Sequence, residues 1–402
     1  MSRIKTLVLL FSLLNWLPFS VSYASNTQSG DACDIFYQQN RSTARKAMVP
    51  APEIAPITEL WGDKHDPYNP QSSNRIFNNK NTRNLDQCSS RECFLFAYLG
   101  ALETTHLNRS HNSREIHFSA AYLVAKKFEH VIGEILSNNQ NGQGMYFNLK
   151  GGEMYHAMKL TQLYGLVPDD IWRPLEPNLS KWDFPKIYSE IISKVNAIIE
   201  ARMADPNAFP HSDNARLTQD IFREVLGNYV GEWPKPFWYD GIHHTPQTFG
   251  KLYNFDTYGT VEVRHLKDEG PYTNPAQNFN LPLFINPLLN GGNFNRYQKS
   301  ESTQTLFKAV ETALAEDRAV LLDVDGNDPR ETGVGHQFVI ANVQTQNSDQ
   351  VNAVRLKNSY TNWGNGGYIW YTPEGVAKKL RRIWFFDVNK DIPEPKPNPP
   401  QN

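Results

Sequence analysis

Cysteine is scarce in this sequence: Cys33, Cys88 and Cys93 are the only three in 402 residues. That excludes a disulfide-stapled scaffold and a thiolate-rich metal site, which needs several ligands at short fixed spacings. An excess of charge of one sign is also missing. Lys and Arg total 40 against 42 Asp and Glu, without a block of like charge. No broad basic surface for nucleic acid is implied. No segment repeats at a fixed period. Beyond the N-terminus no apolar run is long enough to cross a bilayer. The paired histidines of "GIHH" (241–244) have no Cys or carboxylate at ligand spacing, so no metal is expected there.

The first 24 residues differ from the rest. Arg3 and Lys5 precede an apolar run from Leu7 to Phe19, and the small residues Ser22 and Ala24 stand at the −3 and −1 positions of a cleavage site. This is the pattern of a secretory signal peptide and predicts export. Residues 25–80 are rich in Asn, Ser, Gln and Pro and read as an irregular lead-in. Residues 391–402, within "DIPEPKPNPPQN", read as an extended Pro-rich tail. The main domain is expected over 81–390. In an oxidising compartment an odd cysteine count leaves one thiol over. Cys33 with Cys88 is the favoured pair, and Cys88 with Cys93 is the alternative.

Within that domain, helical periodicity comes first and strand patterns second. Helices are predicted from Phe94 to Thr105, at 119–136 with Ser119 as N-cap, after the Gly-Gly turn at 151–168, near 184–204 and 216–226, and at 302–317. The β-rich runs "AVLLDVD" (319–325), "HQFVIANV" (336–343), "AVRLKN" (353–358), "GGYIWYT" (366–372) and "IWFFDV" (383–388) follow, separated by turn signals. The order points to an α+β fold of two packed lobes.

Cys93 opens the first helix. A thiol there meets the positive end of the helix dipole and unpaired amides, both of which favour thiolate. A thiolate nucleophile needs an imidazole to move protons and donors for the oxyanion on the attacked carbonyl. Of eleven histidines, His336 stands at the mouth of a strand, after the turn-like "ETGVG". Asn358 ends the next strand, where an antiparallel neighbour can hold the imidazole. Gln87, six residues before Cys93, carries an amide that can donate to an oxyanion. Taken singly, each has an ordinary structural explanation: a core thiol, a satisfied core imidazole, a turn-forming Asn.

Together, "QCSSRECFLFAYLGALE", "GHQFVIANV" and "VRLKNSYTNWGNGGYIWYT" resemble the nucleophile, His and Asn segments of papain-like cysteine peptidases. The resemblance implies Cys93 as nucleophile, Gln87 as oxyanion side chain, His336 as acid/base and Asn358 as its orienting partner. It implies a two-lobe papain-like fold with a helical lobe and a β-rich, barrel-like lobe. A thiolate–imidazolium pair would hold the thiol far below its ordinary pKa, without a cofactor or metal. The bleomycin hydrolase and aminopeptidase C branch is most similar: "SSREC", "SAAYLVAKKFEH", "GGEMYHAMKLTQLYGLVP" and the wide interval from 93 to 336 all fit it. Gly151 and Gly152 fall where the family binds substrate main chain.

Some positions depart from the papain pattern. Arg91, Glu92 and Phe94 stand where papain-type chains have Gly, Ser and Trp, and Glu92 is placed to oppose thiolate formation. Tyr360 replaces the usual Trp over the Asn–His bond, with Trp363 nearby. The expected partner is a peptide or protein substrate, with aminopeptidase-like action as one form. Side-chain preference and oligomeric state are left open. Acyl transfer or amide hydrolysis on the same triad, and a papain-like binding protein without activity, are the alternatives.

Overall fold

The structure, a computed structural model, describes residues 75–76, 82–109, 115–138, 151–205, 207–262, 303–325, 335–346, 350–361, 363–364 and 366–388. All of them fall in one compact unit, Arg45–Asn402. The expected signal peptide, Cys33, the tail at 391–402 and the lead-in apart from strand β1 (Arg75–Ile76) lie outside the described residues.

Helix α1 (Cys93–Arg109) is buried on every side from Cys93 to Leu107, so it lies at the centre of the helical half. Phe94 through Leu99 are all buried. Around it stand α2 (Ala120–Asn138), α3 (Met154–Tyr164), α4 (Phe184–Ala204), α5 (Asn214–Val230) and α6 (Pro246–Tyr253). Ser119 caps α2 as its position predicts, accepting the Tyr122 N–H at 3.2 Å. Several elements, strands β1 and β4 (Phe255–Glu262) and helix α8 (Pro373–Ala377) among them, have no counterpart among the runs expected from sequence, and two of these stand in the helical half. One is α6, opened by a Thr245–Thr248 capping box. The other is the hairpin of β2 (Phe237–Tyr239) and β3 (Ile242–His244). Within the hairpin His243 is exposed and His244 buried, so the two imidazoles of "GIHH" face apart. No group of His, Cys, Asp and Glu suited to a metal ion occurs among the described residues.

The second half builds an antiparallel sheet in the order β4 (Phe255–Glu262), β9 (Leu380–Val388), β5 (Ala319–Asp325), β6 (Gly335–Gln346), β7 (Gln350–Lys357), β8 (Tyr368–Tyr371), with β1 also on β6. Helices α7 (Thr303–Ala315) and α8 (Pro373–Ala377) belong to this half. Period-two alternation splits strands β5, β6 and β9 between two cores. Ala319, Leu321, Val339, Trp384 and Phe386 join the helical core around α1. Val320, Leu322, Val324, Phe338, Ile340, Ile383 and Phe385 join a second core with Leu306, Phe307 and Val310 of α7. The architecture is α+β, with a helical part and a β-rich part meeting where α1 lies on β5 and β6.

Candidate active site

The sequence places Gln87 and Cys93 far from His336 and Asn358, and three local devices bring the four to one region. The first is the α1 N-terminus. Glu92 ends a turn in which Cys88 and Arg91 adopt φ of 48° and 58°, conformations that cost energy in non-glycine residues. Its carbonyl accepts the Leu95 N–H at 2.9 Å and so closes the first turn behind Cys93.

The second device is strand pairing. Antiparallel β6 and β7 set Val339 opposite Lys357, so Asn358, one step further, returns toward the start of β6. His336 Nε2 lies 2.9 Å from Asn358 Oδ1. The same Oδ1 accepts the Tyr360 backbone N–H at 3.2 Å. An oxygen already serving as acceptor requires the imidazole to donate. His336 therefore carries its proton on Nε2, and Nδ1 is its basic nitrogen.

The third device is the segment 82–87, which is tied along the β7–β8 connection. Gln87 N–H donates to the Ser359 carbonyl at 2.9 Å, Asn84 Nδ2 to the Gly366 carbonyl at 3.2 Å, and the Thr361 N–H to Asp86 at 3.2 Å. Gly367 permits this approach. Its φ is 88°, and a Cβ there would meet Asn84 Nδ2 at 1.7 Å. The Gln87 amide ends up pinned at both ends: Oε1 accepts from Ser359 Oγ, and Nε2 donates to Tyr360 Oη at 2.9 Å.

Cys93 is a buried free cysteine, so the alternative Cys88–Cys93 bridge does not form. Its Sγ donates to Gln337 Oε1 at 2.7 Å, and this is its side-chain hydrogen bond. Strand alternation explains why the neighbour of His336 meets the thiol. Gln337 shares the face of Val339, which looks toward α1, whereas His336 shares that of Phe338. Gln337 Nε2 in turn donates to Asp323 Oδ1 at 3.3 Å.

Burial works against the expected thiolate–imidazolium pair. Burial pushes the Cys93 thiol up to about 12, with Glu92 and Asp323 adding to the rise. Burial draws His336 down to about 4, partly offset by the bond to Asn358. Both shifts favour the neutral forms, while the backbone amides of Gln337 and Phe94 pull the thiol back toward thiolate. Desolvation disfavours either charge, and Gln337 takes the thiol proton as a hydrogen bond instead.

Glu92 is itself wholly buried, against Lys127 Nζ and 3.3 Å from Tyr188 Oη. Burial raises its carboxyl to about 7, opposed by Lys127 and by the Gly151 amide. Lys127 thus offsets the carboxylate that the sequence sets beside the thiol. Nothing in the spacing announced this pair, whose members stand 35 residues apart.

Gly151 and Gly152 lie beside the α1 N-terminus and are half-buried. A Cβ on Gly152 would sit 2.6 Å from Phe94 Cζ, so close packing alone requires glycine there. Glu153, the next residue, reaches Arg382 of β9 at 3.1 Å and bridges the helical and sheet halves.

No protein-family model matches the chain, and no curated protein matches it. Among solved structures the chain is similar to PepW of Lactobacillus rhamnosis HN001, at 14% identity and a TM-score of 0.49 over 98% of this chain and 93% of that one. It is also similar to xylellain, a cysteine protease from Xylella fastidiosa, at 12% identity and a TM-score of 0.37 over 86% and 100% of the two chains. A third is the proform of the ragweed pollen allergen Amb a 11, a cysteine protease, at 12% identity and a TM-score of 0.34 over 77% and 63%.

Proposed function

We propose that this chain is an exported papain-like cysteine peptidase, nearest in kind to the bleomycin hydrolase and aminopeptidase C branch. One observation carries the reading: a free thiol at a buried helix N-terminus meets Gln337, the strand neighbour of an imidazole that an Asn carboxamide orients, and Gln87 is tied to Tyr360, which stacks on that imidazole.

Catalysis begins when the Cys93 thiol leaves Gln337 and gives its proton to His336 Nδ1. Catalytic hydrogen bonds commonly tighten only once substrate is present. The thiolate attacks the peptide carbonyl carbon and forms an S–C bond, and the carbonyl oxygen becomes an oxyanion. The remaining Gln87 Nε2–H and the Cys93 backbone N–H receive it. The imidazolium protonates the leaving amine as the C–N bond breaks. Water, deprotonated by His336, then attacks the thioester, releases the acid and restores the thiol. Asn358 keeps Nε2–H engaged, so that Nδ1 alone exchanges protons. Gly151 and Gly152 offer main chain to an extended substrate. No cofactor enters these steps.

A second reading, a papain-like binding protein without turnover, draws on the neutral thiol held by Gln337 between Glu92 and Asp323. Fluorogenic peptides with free and with blocked amino termini separate the two. The peptidase reading expects turnover that Cys93→Ala abolishes, with free amino termini preferred if the action is aminopeptidase-like. No turnover of any peptide, with Cys93→Ala binding peptides as wild type does, would leave the binding protein.

A further inference from the structure

Tyr360 touches three of the four residues assigned above to the reaction. Its ring lies parallel to the His336 imidazole, with centroids 5.5 Å apart and planes 8° from coplanar. Its backbone N–H donates to Asn358 Oδ1 at 3.2 Å. Its hydroxyl oxygen accepts from Gln87 Nε2 at 2.9 Å. The hydroxyl contact depends on residue type. An indole at this position has only a donor and cannot accept an amide N–H.

We propose that Tyr360 is a positioning residue that couples the imidazole of His336 to the oxyanion-donating amide of Gln87. The ring fixes the plane of the base. The hydroxyl takes one of the two amide hydrogens of Gln87 and aims the other. Ser359 Oγ holds the far end of the same amide, so the plane of Gln87 has no freedom to turn. Displacing Tyr360 would disturb the base and the oxyanion donor together. The contribution to turnover rests on the peptidase reading, whereas the contact with the base does not.

The test uses the full-length protein with Tyr360→Phe, which keeps the ring and removes the hydroxyl, and Tyr360→Leu, which removes both. Two quantities are read: peptide turnover, and the pH profile of Cys93 alkylation by iodoacetamide. For Tyr360→Phe the expected result is a kcat about tenfold lower, less than the full loss of an oxyanion donor, with KM and the alkylation profile unchanged. In a Gln87→Ala background Tyr360→Phe should cost nothing further, because its effect passes through that amide. For Tyr360→Leu the alkylation profile should also shift, by about half to one pH unit, as the stack is lost. Wild-type kcat in Tyr360→Phe, penalties that multiply with Gln87→Ala, or an unmoved profile in Tyr360→Leu would each overturn the proposal. If the wild type alkylates at Cys93 yet hydrolyses no peptide, the peptidase reading falls. The alkylation profile of Tyr360→Leu then decides the contact with the base, with a shift supporting that half of the proposal and an unmoved profile refuting the whole.

Discussion

Replacing Lys127 by Met should make stability depend steeply on alkaline pH. The Nζ of Lys127 is the cation against the fully buried Glu92 carboxylate. Met fills similar volume and supplies no charge, so Glu92 must either hold a bare charge in the core or keep a proton. It will keep the proton. The folded pKa then rises further above the ordinary 4.5, beyond the value of about 7 reached with Lys127 present. The sign follows from linkage. A carboxyl whose folded pKa is raised loses stability as pH climbs from the unfolded to the folded value. With Glu92 locked protonated, the variant loses about 1.4 kcal/mol per pH unit, or about 3 kcal/mol between pH 7 and pH 9. Wild type carries no such slope from Glu92 above pH 7. Urea unfolding at pH 5, 7 and 9 measures the difference, and the double variant Glu92→Gln/Lys127→Met should abolish the slope. A Lys127→Met variant whose deficit is the same at pH 7 and pH 9 would refute the reasoning, because Glu92 would then have found another partner.

Three further outcomes are expected. Gly152→Ala drives a Cβ to within 2.6 Å of the Phe94 ring and should cost about 1–3 kcal/mol in urea unfolding; full stability would mean that the ring has room to move. Burial draws His156 down to about 3 and His336 to about 4, from an ordinary 6.5, so each is neutral when folded. Stability from each is complete above pH 6.5 and is lost as pH falls toward the folded value, by about 2 kcal/mol apiece between pH 7 and pH 5. His156→Gln should remove one such increment from the measured acid limb, and an unchanged limb would contradict this. Gln337→Ala deletes the acceptor that favours the neutral thiol, a bond worth about 1 kcal/mol, so Cys93 should alkylate about fivefold faster at pH 7. An equal or slower rate would show that Gln337 does not hold the thiol proton.

The parts of the fold that could be read from sequence are those whose signal is local. Ser119 before an amphipathic run, the helix beginning at Cys93 and the five β-rich runs after residue 318 all announce themselves by cap and period. The meeting of His336 and Asn358 was legible because they sit at adjoining ends of consecutive strands. The hairpin at 237–244 and helix α6 escaped because three-residue strands and an eight-residue helix offer too few positions for a period. What faces the thiol was not legible either. Gln337 reaches Cys93 only through the side of β6 that packs on α1, and Lys127 reaches Glu92 from another helix. The family resemblance implies an ion pair of Cys93 and His336. Burial of both groups, which the sequence does not announce, works against either charge.

The central claim is that Cys93 is a nucleophile served by His336. The most direct measurement is labelling of the full chain with a thiol-reactive peptide epoxide, followed by mass mapping of the modified residue. The account predicts rapid modification at Cys93 that His336→Ala abolishes while alkylation by iodoacetamide at high pH persists. Failure of the epoxide to label Cys93, or labelling that proceeds equally in His336→Ala, would contradict it.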